Sequence, residues 1–557
     1  MASAPTGERG LVTLRLPKLG PMALPTALFI GLGCLQFSLI FVKSFNWDEF
    51  LHYAMVHQLS AGTLSRPMQT LLARVLSWTP YVSGDLLNQM LAARVFLWVI
   101  YLAGLGAIYG VARHFASRED AIWGMLAYAA AGNPFAHGFA IRTDPLAMTL
   151  LMAALLLVLT QRLGAARMVA AGMLCGAASL LTVKSVFFAP CFAGIAWFCI
   201  AKSEDRLRET MSFGLLAGAA LATFVVLYLL HSSGLAPAPL HHRAGAFVPN
   251  AWQWLTQGIF NQPIYTLEAI TTAPLFVIAL GMVPRCVRKA RTDRDTCIAL
   301  VALCLPLLSI LVYRNVFPYF FVFILAPAAV VLSISIGSLR ARIGRPAMAA
   351  AIMAVPVVMW AVEPHDVYER QSAVINYVHG EVTRGTTSLD YSGMIADYPR
   401  VIDHLVSGLG LANYRKRGVP LIAQAVAEGR LGVVIENHAT ISEALAGRYS
   451  ADGLLAADVS ALHSNFVRVG GNVWLAGEAV PEGSAPVAIE IPAAGTYVSD
   501  RPLRIAGRSY APAEKISMAA GRYVVDGPRS FPTVMWRGER LPQRFDEPGP
   551  VGLFTRF

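Results

Sequence analysis

Two adjacent carboxylates, Asp48 and Glu49, stand in the stretch Phe45-Asn46-Trp47-Asp48-Glu49-Phe50-Leu51-His52-Tyr53, directly after the first long apolar run ends. Carboxylates so placed can take a proton from a hydroxyl or orient one. They cannot sit in hydrocarbon, because burying an ionised side chain there costs roughly 3 kcal/mol or more. The pair therefore belongs at the membrane interface or in a watered cavity. A reading without chemistry is also available: Asn46 caps a short helix whose first turn carries acids because acids suit a helix N-terminus.

Other chemistry-bearing residues recur where apolar runs begin. Arg142-Thr143-Asp144-Pro145 opens one run, although Asp followed by Pro is also ordinary helix-start grammar. Lys184 interrupts two runs, and a snorkelling lysine is the plain alternative. Arg314-Asn315-Val316-Phe317-Pro318-Tyr319 begins another, where an anchoring Arg and an interfacial Tyr are unremarkable. His52 and Arg66 share the first connection with the carboxylates and are candidate substrate ligands, or else a solvated helix face. His241, His242 and Arg243 read as a solvated basic turn rather than a metal site.

These residues need elements to hold them, and composition says which kind. With 557 residues, 55% of them hydrophobic, 14% charged and a mean hydropathy of +0.53, the chain is a polytopic membrane protein. The net charge of +11 does not imply nucleic acid, since no basic patch is interleaved with aromatics. About eleven apolar runs are expected to span, at 22–42, 90–111, 121–139, 145–160, 168–183, 186–201, 211–230, 264–283, 297–313, 317–336 and 346–361. The first, with no small-residue cleavage site after it, reads as an uncleaved anchor. Between 43 and 89, helical spacing through Phe50, Leu51, Met55 and Leu59, and through Leu71, Leu72, Val75 and Leu76, predicts two amphipathic helices lying in the interface.

Charge gives an orientation. If the tail at 1–21 (Arg9, Arg15, Lys18) is cytoplasmic, the same side receives Arg113 and Arg118; Arg162 and Arg167; Lys202, Arg206 and Arg208; the basic run 285–294; and Arg340, Arg342 and Arg345. The candidate residues then all fall on the opposite face, expected to be extracytoplasmic, at a bacterial inner membrane. An odd number of spans places the region after 361 there too. That region reads as an α/β module over 362–480 and a β-rich appendix over 481–557, the latter with alternation at Val487, Ile489 and Ile491 and Gly-x-Tyr-Val at Gly495 and Gly521. Gly106 and Gly110, Gly172 and Gly176, and Gly214 and Gly218 are pairs that suit close helix packing. The seven cysteines lack metal-site spacing and read as small buried hydrophobes.

In this order, Asn46-Trp47-Asp48-Glu49, Arg142-Thr143-Asp144-Pro145, Lys184 and the stretch Asn315 to Pro327 resemble the C-type integral-membrane glycosyltransferases. The nearest are protein O-mannosyltransferases and the bacterial enzymes that transfer aminoarabinose or other sugars to lipid A. The resemblance covers about 28–360, and departs from the family where Phe317 replaces the His of a His-Pro-x-Tyr-like motif. It implies transfer of a sugar from a polyprenyl-phosphate carrier to a lipid, glycan or protein acceptor of the envelope, on the extracytoplasmic face and with inversion. On that reading Asp48 is the general base, and Glu49 and Asp144 orient acceptor and sugar hydroxyls. Arg142, Lys184, Arg314 and Tyr319 receive the phosphate, and apolar grooves between spans take the lipid tail. No cofactor is required, and a divalent cation stays open, although no large second carboxylate cluster calls for one. The alternatives are a lipid or solute transporter, which should show discontinuous spans near the midplane or symmetry between halves, and a membrane protein whose outer module does the work.

Overall fold

The computed structural model describes residues 20, 22–160, 164–237, 261–402, 405, 408–547 and 551–555. Arg9, Arg15, Lys18, Arg162, His241, His242 and Arg243 lie outside the described residues. Helix α1 (Ala23–Val42) leads through a four-residue link into α2 (Trp47–Ser60) and α3 (Leu71–Val75). The bundle continues with α4 (Leu86–Ala112), α5 (Arg118–Ala129), α6 (Gly132–His137), α7 (Thr143–Leu159), α8 (Ala165–Leu181), α9 (Ala189–Lys202) and α10 (Arg206–Ser232). Beyond the undescribed stretch come α11 (Pro263–Thr271), α12 (Pro274–Lys289), α13 (Arg294–Cys304), α14 (Pro318–Ile343) and α15 (Arg345–Ala361).

Among the described residues six helical segments are long and apolar enough to cross a membrane, or eight if each of two bent pairs is one span. Two further apolar helices, α7 and α8, are shorter, and the run expected at 121–139 is broken into α5 and α6. Every residue from 123 to 149 is buried, and α14 is the most enclosed of the long helices, so these pieces form the centre of the bundle. The run expected at 264–283 is also discontinuous: α11 and α12 meet at 87°. The break is closed by protein, since the Gly132 N–H donates to the Thr272 carbonyl at 2.9 Å.

Close packing uses some of the glycine pairs and not others. A Cβ on Gly172 or Gly176 would meet the α10 backbone at 2.4 Å, so α8 and α10 touch main chain to main chain. Gly110 packs on Leu156, whereas Gly106, Gly214 and Gly218 have open space where a Cβ would stand. The spacing that marks a contact also occurs on faces turned elsewhere.

Helix α2 does not lie on the bilayer as a free amphipathic helix. Phe50, Tyr53, Ala54 and Val56 are buried in one apolar cluster with Leu86, Met90 and Leu97 of α4 and with Val374, Val378, Met394, Ile395 and Tyr398 of the C-terminal region. That region begins with α16 (His365–Glu381), which leaves α15 at a 43° bend and turns Val367, Gln371, Val374, Ile375 and Val378 inward at helical spacing.

Strand β1 (Thr387–Leu389) pairs in parallel with β2 (Leu431–Ile435), which runs antiparallel to β4 (Val473–Val480); β3 (Phe466–Gly470) also pairs with β4. The far half of β4 pairs with β11 (Thr533–Arg537), then come β6 (Gly495–Ser499) and β9 (Lys515–Met518). One seven-stranded sheet therefore runs through position 480, where a module boundary was expected. A second sheet, of β5 (Val487–Ile491), β10 (Gly521–Asp526), β7 (Leu503–Ile505) and β8 (Arg508–Tyr510), packs beside it through Ile489, Ile491 and Val525. The two Gly-x-Tyr-Val copies lie in β6 and β10, one in each sheet.

Candidate active site

Asn46 has extended backbone and caps α2: its side-chain oxygen accepts from the Asp48 N–H at 2.9 Å, and its own N–H donates to Glu49 Oε2 at 3.0 Å. This is reciprocal N-terminal capping, and it separates the roles of the two acids. Glu49 also accepts from Arg94 Nε at 2.9 Å, Arg94 Nη2 at 2.6 Å and the Ile141 N–H at 3.0 Å. Burial raises the Glu49 carboxyl, but the Arg94 charge and these hydrogen bonds outweigh it and hold it below its ordinary value. Its oxygens are occupied, so Glu49 does not orient an acceptor as expected; it fixes the helix start.

Asp48, one residue earlier, points the other way and is ion-paired with Arg142 Nη1. Arg142 Nε is 3.3 Å from Asp144 Oδ2, and Lys184 Nζ donates to Asp144 Oδ1 at 2.5 Å. The Arg142 guanidinium carbon lies 3.2 Å from the centroid of the Tyr319 ring, and Lys184 Nζ is 4.9 Å from the same ring. The structure thus brings together Asp48, Arg142, Asp144, Lys184 and Tyr319, two acids against two cations on an aromatic floor. Arg142 Nη1 is buried and faces the Asp48 carboxylate as an ion pair.

The local sequence explains the convergence. Asp144 and Pro145 stand in the first turn of α7, Pro318 and Tyr319 begin α14, and Asp48 lies in the first turn of α2. Three helix N-termini, each a positive dipole end, therefore meet at this cluster. Thr182 caps the 3₁₀ turn that carries Lys184, accepting from the Lys184 N–H at 3.3 Å. Such a site suits a phosphate. Phe317 packs against Tyr265 and Tyr319 at 5.6 and 5.8 Å between ring centroids.

His52 is one turn beyond Asp48, within electrostatic reach of Arg142, Asp48, Asp144 and Lys184. Burial foremost, then the Arg142 charge, lowers it to about 4 against the opposing pull of the two acids, which keeps it neutral. Between about pH 4 and 6.5 the unfolded chain binds this proton and the folded chain does not, so stability rises with pH in that window. His52→Gln is expected to flatten the pH dependence of the thermal midpoint there, by roughly 1–3 kcal/mol over the whole titration. An unaltered pH profile would rule out a neutral, partly buried His52.

Arg314 is not part of the cluster: among the described residues it makes no ion pair, and the partly exposed loop before α14 carries it. Tyr313, its neighbour, is buried within electrostatic reach of Asp144, Arg142 and Asp48. Arg66 is exposed in the turn between α2 and α3, where its carbonyl accepts from Thr70 and Thr70 in turn bonds His231 of α10. Arg94 was missed, although a lone Arg inside the apolar run at 90–111 is a signal, since such a charge survives only with a partner. Among the described residues no three His, Cys, Asp or Glu side chains gather as metal ligands, and all seven cysteines are unbridged.

No family model and no curated protein matches the sequence. Solved structures do match the fold. ArnT from Cupriavidus metallidurans bound to undecaprenyl phosphate aligns over 77% of this chain and 96% of its own, with a TM-score of 0.56 at 14% identity. The apo oligosaccharyltransferase of Archaeoglobus fulgidus aligns over 95% of this chain and 99% of its own, with a TM-score of 0.52 at 10% identity. The same archaeal enzyme tethered to an acceptor peptide containing the NVT sequon aligns over 95% and 99%, with a TM-score of 0.50 at 9% identity.

Proposed function

We propose, for a chain that has the fold of the C-type integral-membrane glycosyltransferases, that it transfers a sugar from a polyprenyl-phosphate carrier to an acceptor of the cell envelope. The reaction takes place at the membrane face where α2, α7 and α14 begin, which the positive-inside rule makes extracytoplasmic. The observation that carries this reading is the shared guanidinium: Arg142 contacts Asp48 and Asp144 at once, beside Lys184 and under three helix N-termini.

The chemistry follows from that sharing. With the donor phosphate drawn to Lys184 and Arg142, the charge that neutralised Asp48 is redirected and the carboxylate is released to accept a proton. Asp48 then takes the acceptor's hydroxyl proton as its oxygen attacks the anomeric carbon. The bond from that carbon to the phosphate oxygen breaks with inversion, and the electron pair leaves on a phosphate neutralised by Lys184 and Arg142. Asp144 holds both cations in place, Tyr319 and Tyr313 wall the site, and neutral His52 can bond a sugar hydroxyl without competing for the phosphate. The acceptor's class is left to the C-terminal region, which covers α2.

Cells lacking this gene are expected to lose one sugar from one class of envelope lipid, glycan or glycoprotein, read by mass spectrometry. Wild type should restore it, and Lys184→Met, present in the membrane at the same level, should restore less than about a hundredth of the rate, the effect of removing one strong charge stabiliser. An unchanged inventory in the deletion strain, or full restoration by Lys184→Met, overturns the reading.

A further inference from the structure

The stretch 551–555 returns to the residues that carry the carboxylates. Gln371 of α16, fully buried, binds both main-chain groups of Phe45: the Phe45 N–H donates to its Oε1 at 2.9 Å and its Nε2 donates to the Phe45 carbonyl at 2.8 Å. The same Nε2 donates to the Leu553 carbonyl at 2.7 Å. Asn472, at the start of β4, treats Val551 in the same way, receiving its N–H at 3.2 Å and donating to its carbonyl at 3.1 Å. Two side-chain amides therefore pin the stretch, one to the sheet and one to the link before α2.

Between those pins the side chains are packed. Leu553 is buried in the cluster that holds Phe45 and Phe50, and the Phe554 ring lies 6.2 Å from Trp47 and 6.1 Å from Phe50 between centroids. Thr555 reaches the wall of the small cavity bounded by Asn46, Glu49 and Arg94. Phe45 is part of an extended link, with neither helix nor sheet neighbours to satisfy its main chain, so the Gln371 amide is what keeps it paired. On the other side its ring lies 3.8 Å from the Arg94 guanidinium carbon.

We infer that 551–555 and Gln371 form a positioning strap for Asp48. They fix where α2 begins, and so where Asp48 stands relative to Arg142, without touching the reacting atoms. The inference rests on the reading of Asp48 as the base. Its energetic logic is that of geometry, since displacement of a reacting group by about 1 Å costs on the order of a hundredfold in rate.

The test uses the full chain in lipid nanodiscs, as wild type, Phe554→Ala and Phe554→Tyr. For Phe554→Ala, amide hydrogen exchange over 45–50 is expected to quicken by about tenfold or more while α7 and α8 are unchanged. Binding of undecaprenyl phosphate should be unaltered, and restoration of the missing sugar in the deletion strain should slow by about tenfold to a hundredfold. Phe554→Tyr keeps the ring and should recover both readouts. Unchanged exchange at 45–50, a general rise in exchange across the bundle, or fast exchange with full transfer each overturns the strap. A wild-type chain that restores no sugar sinks the transferase reading instead, and leaves the exchange result to stand for or against the strap alone.

Discussion

Asp48→Asn is expected to lower transfer by about 10²- to 10⁴-fold, the range that a positioned general base contributes, with the protein still folded in the membrane. The two effects separate because of how Asp48 is held. Its side chain is 15% exposed and its ion-pair partner is Arg142, which keeps Asp144 after the substitution. The Asn46 side-chain cap binds the main-chain N–H of residue 48, which the substitution leaves intact. Asp144→Asn should behave differently, because Asp144 is fully buried between Lys184 and Arg142 and its loss strands two cations. Full transfer by Asp48→Asn, measured as product per mole of folded protein, would remove the base from the mechanism.

The largest effect on stability should come from Arg94→Leu, at about 3–5 kcal/mol, as for any buried pair that loses one partner. Arg94 has no exposure and spends its donors on Glu49 and on the carbonyls of Ile40, Lys43 and Ser44, at 3.1, 2.7 and 2.9 Å. Removing it leaves the Glu49 carboxylate buried with two main-chain N–H donors but no countercharge, and takes a donor from three carbonyls at the join of α1 and α2. Since Glu49 is held below its ordinary value, the pair's contribution is full above the ordinary carboxylate range and fades as pH falls through the folded value. Thermal unfolding in detergent should show Arg94→Leu strongly destabilised at pH 7, and Arg94→Leu with Glu49→Leu less so, because the stranded charge is gone. A single variant as stable as wild type would mean that the pair carries no fold-level role.

Both outcomes turn on a distinction that the local sequence leaves open. Asn46, Asp48 and Glu49 fit helix-capping grammar and proton transfer equally well, and the structure divides the two between neighbours: Glu49 caps and braces, Asp48 faces the cations. Nothing in a single sequence shows which way each side chain turns at the first turn of a helix. The membrane segments were legible because apolar runs are long and loud, yet the run at 121–139 breaks at Ala131 and the one at 264–283 at Thr272, where partners from elsewhere satisfy the free backbone. Arg142, Asp144, Lys184 and Tyr319 were legible as a set because each interrupts or opens an apolar run. Arg314 shared that signal and proved to lie in the loop, while Tyr313, buried next to it, gave none. Gln371 is the furthest from legibility, because an amide that binds main chain at residue 45 has no counterpart pattern near residue 371.

The Gln371 clamp joins a link made early in synthesis to two pieces made late. Residue 45 emerges from the ribosome directly after α1, whereas Gln371, which closes around it, follows the helical bundle, and Leu553 follows the last strand of the sheet. A chain halted between α16 and the last strand already carries Asp48, Arg142, Asp144 and Lys184 but not the 551–555 stretch that Gln371 ties to Phe45. The contacts at the start of α2 are thus completed by residues added after every member of the Asp48 cluster is already in the chain.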